Sequence, residues 1–128
     1  MRLNPDCVRD ILMYCEDKCT TTSGVEFDPG TTLTMDGRTY NWEELSYHLR
    51  QCDLSGYFYK ASQDMYGTYF IEDLSPAAHE FLANIRSNDN WSKVKSTASK
   101  VGSLSLSTLS SIASAVVAAA IKASLGLP

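Results

Sequence analysis

The chain has 128 residues, of which 44% are hydrophobic and 20% charged, so it is long enough for one core and is not a disordered chain. Its net charge of −4 is uneven: residues 1–90 carry seven Lys/Arg against fifteen Asp/Glu, and residues 91–128 carry four Lys and no acid. An acidic main domain is a poor partner for DNA, because DNA binding depends on neutralising phosphates.

The first predicted helix runs from Asn4 to about Cys19. Asn4 is a suitable N-cap and Pro5 fits the first helical position. Apolar residues recur at helical spacing on one face, which predicts a core-facing amphipathic helix: Val8, Ile11, Leu12, Cys15 and Cys19. The residues before Asp10 lack the apolar segment of a signal peptide, so we expect a cytoplasmic protein with reduced cysteines.

The next segment, residues 20–40, is rich in Thr and Gly and is a poor helix former. Asp36-Gly37, flanked by Thr31–Met35 and Arg38–Tyr40, predicts a tight β-hairpin. The hairpin either packs beside the first helix, which we favour, or reaches a partner as a surface loop. A typical helix-turn-helix would place its first short helix here, so a DNA-reading unit in this chain would be remodelled.

The stretch from Asn41 to Tyr59 predicts a central helix followed by a strand. Asn41 is a suitable N-cap, and Glu44 can reach back to it as in a capping box. Apolar and aromatic residues then recur at helical spacing until Ser55-Gly56 ends the helix. The aromatic run Tyr57–Tyr59 is typical of a strand. This order is how the recognition helix of a winged-helix domain runs into its wing.

The segment after the central helix predicts the rest of a wing. Lys60–Gly67 is typical of a turn, and Thr68–Leu74 alternates well enough to pair back on Tyr57–Tyr59. Ser75 and Pro76 then begin another helix. The expected fold class is therefore α+β: a winged helix-turn-helix-like domain over residues 1–90 with a small β-hairpin wing.

Residues 91–128 predict a helical extension, basic at first and then apolar. Asn88–Asn90 is expected to break the preceding helix, Gly102 ends the basic segment, and a last helix follows from about Ser103 to Leu125. The apolar stripe of this helix supplies the candidate oligomerisation residues: Leu109, Ile112, Val116, Val117 and Ile121. The helix is long enough to span a membrane, but many of its residues are Ser or Thr and aromatic belts are missing. We therefore expect this helix to self-associate or to dock on the main domain, with a homodimer or homotetramer favoured, and membrane contact only as a second choice.

Two arrangements could carry chemistry, a zinc site and a dyad of a cysteine with His48 or His79, and we favour neither. Cys15 with Cys19, and His48 with Cys52, are i,i+4 pairs that two facing helices could offer to zinc, although no Cys-turn-Cys knuckle is present. Core packing of the thiols explains the same pattern. No phosphate loop, nucleophile elbow or metalloprotease motif occurs, so we expect no enzymatic activity and no cofactor.

The exposed side of the central helix supplies the candidate contact residues for DNA or for a partner protein. Arg50 and Gln51 can reach base edges or phosphates, and Lys60 can touch a backbone. Glu43 and Glu44, where the helix would enter a groove, oppose DNA contact. The candidate contact set is Tyr47, Arg50, Gln51 and Lys60.

Four separated motifs resemble one family: RLNPDCVRDIL, YHLRQCDLSGYF, IEDLSPAAHEFLANIR and the tail beginning WSKVK. The resemblance is to the domain of unknown function 2513 family, found in bacteria and phages. It implies a winged-helix-like fold, frequent prophage association and no established enzymatic activity. It brings no functional residues. The Thr-rich hairpin and the cysteines at positions 15, 19 and 52 are not features of the family, so a zinc site would be particular to this protein.

Two functional hypotheses follow from the sequence. The first is a phage- or prophage-associated regulatory protein that binds DNA or modulates a transcription complex. The second is a protein-interaction module that assembles through its C-terminal helix without DNA contact and inhibits or redirects a host protein. An acidic surface on a DNA-binding scaffold suits the second, but the sequence leaves the two hypotheses close to even.

Overall fold

A computed structural model describes residues 1–128, which form five helices and two antiparallel sheets, an α+β fold as expected. The elements in order are α1 (Pro5–Lys18), β1 (Val25–Phe27), β2 (Leu33–Met35), β3 (Arg38–Tyr40), α2 (Trp42–Leu54), β4 (Phe58–Gln63), β5 (Tyr69–Leu74), α3 (Pro76–Ile85), α4 (Asn88–Val101) and α5 (Leu106–Ser124). The chain forms two compact units, Met1–His79 and Glu80–Pro128, which divide within α3.

Both helices of the first unit begin at the predicted caps. Asn4 Oδ1 accepts from the backbone N–H of Asp6 at 3.1 Å, and Asn41 Oδ1 accepts from that of Glu44 at 2.9 Å. Gly56 ends α2 at φ +76°, a left-handed conformation that glycine adopts without strain. The predicted reach of Glu44 back to its own cap is wrong: its carboxylate accepts from Asn4 Nδ2 at 2.8 Å and ties α2 to α1.

The predicted pairing of β4 with β5 is confirmed, and we call this hairpin the wing. A strand that the sequence did not predict, β1, pairs with β5 and gives a three-stranded sheet of order β1-β5-β4. Three residues are too few to establish a period. The turn predicted for Lys60–Gly67 is also partly wrong, since β4 continues to Gln63. Its second half is an edge strand of mainly exposed residues, so it lacks the apolar alternation that marks a half-buried strand.

The predicted hairpin around Asp36-Gly37 is confirmed. Both residues have positive φ, +49° and +79°, as a type I′ turn requires. Buried Asp10 of α1 holds the hairpin: Arg38 donates to it through Nε at 2.8 Å and Nη2 at 2.9 Å, and Tyr40 Oη donates at 2.6 Å. The favoured interpretation, a hairpin packed beside the first helix, is therefore the observed one. It lies where a helix-turn-helix has its first short helix.

The core of the first unit lies between α1, α2 and the sheet. α1 contacts both α2 and β5, and α2 contacts β4. Its largest fully buried apolar side chains are Val8, Ile11, Leu12, Leu45, Leu49 and Ile71.

In the second unit, α4 packs against α5. The expected break in the chain of helices is present, but it lies at Arg86 and Ser87 and not at Asn88–Asn90, which form the first turn of α4. Ser87 is the N-cap, its Oγ accepting from the backbone N–H of Asn90 at 3.0 Å. Asn and Asp favour helix starts as well as breaks, so composition alone cannot separate the two. Gly102 ends α4 at φ +75°, as predicted.

Candidate interaction surfaces

The candidate zinc residues do not form a metal site. His48 is fully buried, and both ring nitrogens are engaged: Nε2 accepts from the backbone N–H of Asn4 and Nδ1 donates to the Glu44 carbonyl, each at 2.7 Å. The lone pair that zinc would need is therefore used within the fold. No group of three or more His, Cys, Asp or Glu side chains is placed to hold a metal ion.

The cysteines act as small apolar core residues. Cys7, Cys15 and Cys52 are fully buried, and this burial raises the pKa of each thiol above its ordinary value. Cys19 is half-buried, and burial raises its thiol pKa as well. A protonated thiol is neither a nucleophile nor a metal ligand. Cys7 was not among the residues predicted for the apolar face of the first helix, but it belongs to the same buried set.

Two of the four predicted contact residues come together on the exposed side of α2. Arg50 lies over the Tyr47 ring, 6.0 Å from its centroid, and both line a depression of about 340 Å³. The other lining residues come from the N-terminus, α2 and the wing: Met1, Glu43, Ser46, Gln63 and Tyr69. Burial raises the pKa of the Tyr69 hydroxyl, and Arg50 opposes that shift. The sequence did not indicate the contribution of the wing strands.

The other two predicted contact residues do not line that depression. Gln51 is half-buried on α2. Lys60 lies in β4 with φ +53°, and its Nζ is 5.3 Å from the centroid of the Tyr59 ring. Lys60 instead lines a groove of about 660 Å³ on the outer face of the three-stranded sheet. The predicted contact set is thus divided between two concave surfaces.

The tip of the wing presents two large apolar side chains to solvent. Met65 is 87% exposed and Tyr66 is 80% exposed. Asp64 orders the tip, because its Oδ1 accepts from the backbone N–H of Tyr66 at 2.9 Å and of Thr68 at 3.0 Å. Tyr and Met are both enriched at the cores of protein–protein interfaces.

The candidate oligomerisation residues of α5 differ in burial. Leu109 is fully buried within the chain by packing inside the second unit, so it leaves no exposed surface for another chain. Ile112, Val116 and Val117 are half-buried, and Ile121 is 53% exposed. Every residue from position 118 to the end of the chain is exposed. The apolar stripe therefore continues past the part that is covered.

By length and composition alone, α5 is apolar enough to cross a membrane, and it is the one helix of the chain that is. Its mean hydropathy reaches 1.6, and 17% of that stretch is buried. The hydroxyl residues are concentrated in its first half: Ser107, Thr108, Ser110, Ser111 and Ser114.

A family model described as "Hypothetical protein (DUF2513)" matches residues 2–105. The match ends at the N-cap of α5, so α5 lies outside it. No curated protein and no solved structure matches the chain. Since the family model covers more than half of the chain, the chain belongs to the DUF2513 family.

Proposed function

We propose that this protein is a non-enzymatic regulatory module of winged-helix topology that binds another protein rather than DNA and self-associates through α5. The acidic, apolar-tipped surface of α2 and the wing carries the proposal.

The winged-helix assignment rests on element order. α2 ends at Gly56 and runs directly into the β4–β5 wing, as a recognition helix runs into its wing. The pairing of β1 with β5 adds a third strand to that wing. The β2–β3 hairpin, clamped to α1 by Asp10, takes the place of the short helix before the recognition helix.

Charge favours a protein partner. Residues 1–79 carry six Lys/Arg against thirteen Asp/Glu, a balance of −7. Glu43 and Glu44 lie in the first turn of α2, where a recognition helix enters the major groove, and Glu43 lines the depression beside Arg50. Phosphates would meet a negative field there, which opposes the counterion release that drives DNA binding.

The wing tip offers exposed apolar surface that a protein partner can bury. Met65 and Tyr66 are large, apolar and presented on an ordered turn, and burying side chains of this kind supplies most of the energy in many interfaces. Removing one central anchor typically costs about 2 kcal/mol, or about 30-fold in affinity.

The exposed apolar side chains at the end of α5 favour contact with a second copy of the chain. α4 carries Lys93, Lys95 and Lys100 and packs on α5, so a membrane-spanning α5 would carry these lysines towards the bilayer. The exposed end of α5, from position 118 onwards, has small residues at Ala120 and Ser124, which allow two helices to approach closely. A symmetric contact between the ends of two α5 helices covers the apolar side chains of both chains at once.

A DNA titration tests the choice of partner. Duplexes of random and of host-promoter sequence are titrated with the full chain at low and moderate salt, and we expect no association at either, since non-specific phosphate contact is strongest at low salt. Binding that weakens with salt and is lost in Arg50→Ala would establish the DNA-binding alternative, which the position of Arg50 on exposed α2 favours.

A capture experiment tests the wing tip. A partner retained by the wild-type chain should be lost from the double variant Met65→Ser with Tyr66→Ser, because the anchors are gone. Leu54→Ser is the matched control, since Leu54 is 75% exposed at the end of α2, away from the wing tip. A partner retained equally by all three proteins would contradict the proposed surface. Phage or prophage association, which the family resemblance implies, stays a prediction.

A further inference from the structure

The outer face of the three-stranded sheet carries a groove of about 660 Å³, within the range of ligand-binding clefts. Its floor is Phe70, on the central strand and 42% exposed although its neighbours Tyr69 and Ile71 are buried on the inner face. Glu26 on β1 and Ser62 on β4 are its direct cross-strand partners, so all three share the outer face.

The next row of the same face is irregular. Lys60 has a left-handed backbone, φ +53°, and the pairing of β4 with β5 skips the position where Lys60 would meet Glu72. Gly24 approaches β5 so closely that a Cβ there would lie 2.3 Å from the Ile71 carbonyl oxygen. Gly24, Lys60 and Glu72 line the groove, so the groove opens where the sheet departs from regular pairing.

The chemistry of the groove selects a cation. Glu26 and Glu72 place two carboxylates beside the exposed ring of Phe70, whose face attracts positive charge. The one cation in the lining belongs to Lys60, and its ammonium lies by the neighbouring Tyr59 ring. An ammonium or guanidinium over Phe70 would therefore meet both carboxylates and the ring.

We propose that this groove holds the lysine or arginine side chain of an extended segment of a partner protein. The proposal rests on the proposed protein-binding function and adds a second contact surface to the α2 and wing-tip surface. The volume exceeds what one side chain needs and leaves room for flanking residues. The kink at Lys60 interrupts the outer edge of β4, so the segment lies across the face of the sheet and does not add a strand to it.

The test titrates isotope-labelled full-length protein with a short peptide of alternating Lys and Val, and follows amide chemical shifts. The peptide should shift residues 24–26, 60–62 and 70–72, whereas a Glu-Val peptide should shift none of them. The double variant Glu26→Gln with Glu72→Gln should weaken binding about tenfold. Asp17→Asn with Asp89→Asn removes the same charge from exposed positions on α1 and α4, where the side chains are 76% and 85% exposed, and should change affinity less than about twofold.

Phe70→Leu keeps the groove apolar and removes the ring, and should weaken binding about threefold. Equal losses in the two double variants would overturn the proposal, since they would reveal attraction to net charge alone. Shifts confined to residues outside the groove would overturn it too, as would spermidine binding as tightly as the peptide, which would assign the groove to a free polyamine. The peptide titration contains no DNA. If it overturns the groove proposal, the choice between a DNA partner and a protein partner is still decided by the DNA titration.

Discussion

The first unit buries polar side chains, whereas the end of α5 exposes apolar ones. Within Met1–His79, polar side chains lie inside and have partners: Asp10 holds Arg38 and Tyr40, and His48 links Asn4 to Glu44. No buried side-chain nitrogen or oxygen lacks a partner. At the end of α5 and just after it, apolar side chains lie outside: Ile121, Leu125 and Leu127 are 53%, 67% and 56% exposed.

This difference separates a unit whose polar groups are paired within the chain from a surface for which we propose a partner. A buried polar group without a partner costs about 1–3 kcal/mol, so the complete pairing in the first unit stabilises that unit by itself. An apolar stripe that continues beyond its covering helix gains stability only when something else covers it. The predictions below test the two sides of this contrast.

Asp10→Ala should produce the largest loss of stability, because it leaves Arg38 and Tyr40 without their shared acceptor. Asp10 is fully buried, whereas Arg38 is 36% exposed, so we expect the lower end of the usual cost of breaking a buried pair, about 3 kcal/mol. Urea unfolding measures it. Asp17→Ala is the matched control on the same helix: Asp17 is 76% exposed, and its loss should change stability by less than about 0.5 kcal/mol. Equal losses of stability in Asp10→Ala and Asp17→Ala would mean that the hydrogen bonds to Asp10 do not hold the β2–β3 hairpin.

His48→Phe should cost about 2 kcal/mol, because phenylalanine fills the space of the ring but leaves the Asn4 backbone N–H without an acceptor. The other histidine is the control. His79 is half-exposed, so His79→Phe should be nearly neutral in the same denaturant series. A neutral His48→Phe would show that the α1–α2 link is dispensable.

The buried thiols should make stability fall in alkali. Their folded pKa values are raised, so the native state keeps its thiol protons, whereas the unfolded chain loses them above about pH 8.5. Stability is thus fully present below that pH and declines above it, by about 1.4 kcal/mol per thiol at about pH 9.5. Cys52→Ala should remove one thiol's share of the slope between pH 7 and about 9.5. An unchanged slope would contradict the protonated core thiol.

Local signals accounted for much of the fold. Asn4, Asn41, Gly56 and Gly102 marked helix ends because caps depend on one residue's own conformation or side chain, and Asp36-Gly37 marked the turn for the same reason. The hydrogen-bonding of Asp10 and His48 could not be predicted, because their partners are distant in sequence. The groove likewise depends on the pairing of three strands, one of them too short to recognise.

The difference in burial along α5 could not be predicted for a related reason. The stripe is continuous in the sequence, so Leu109 and Ile121 looked equivalent. Only the position of α4 shows that the first is buried and the second exposed. Periodicity identifies an apolar face, and tertiary structure decides which part of it remains for a partner.

The most direct test of the contrast is the mass in solution of three full-length proteins: wild type, Ile121→Glu and Ala119→Glu. The two substituted positions lie two residues apart, about 200° around the helix, so Ala119 carries the same added charge on the opposite side. We predict a wild-type mass of at least two chains by sedimentation equilibrium, one chain for Ile121→Glu, and the wild-type mass for Ala119→Glu. A wild-type protein that is monomeric at tens of micromolar, or that partitions onto lipid vesicles instead of self-associating, would contradict the account.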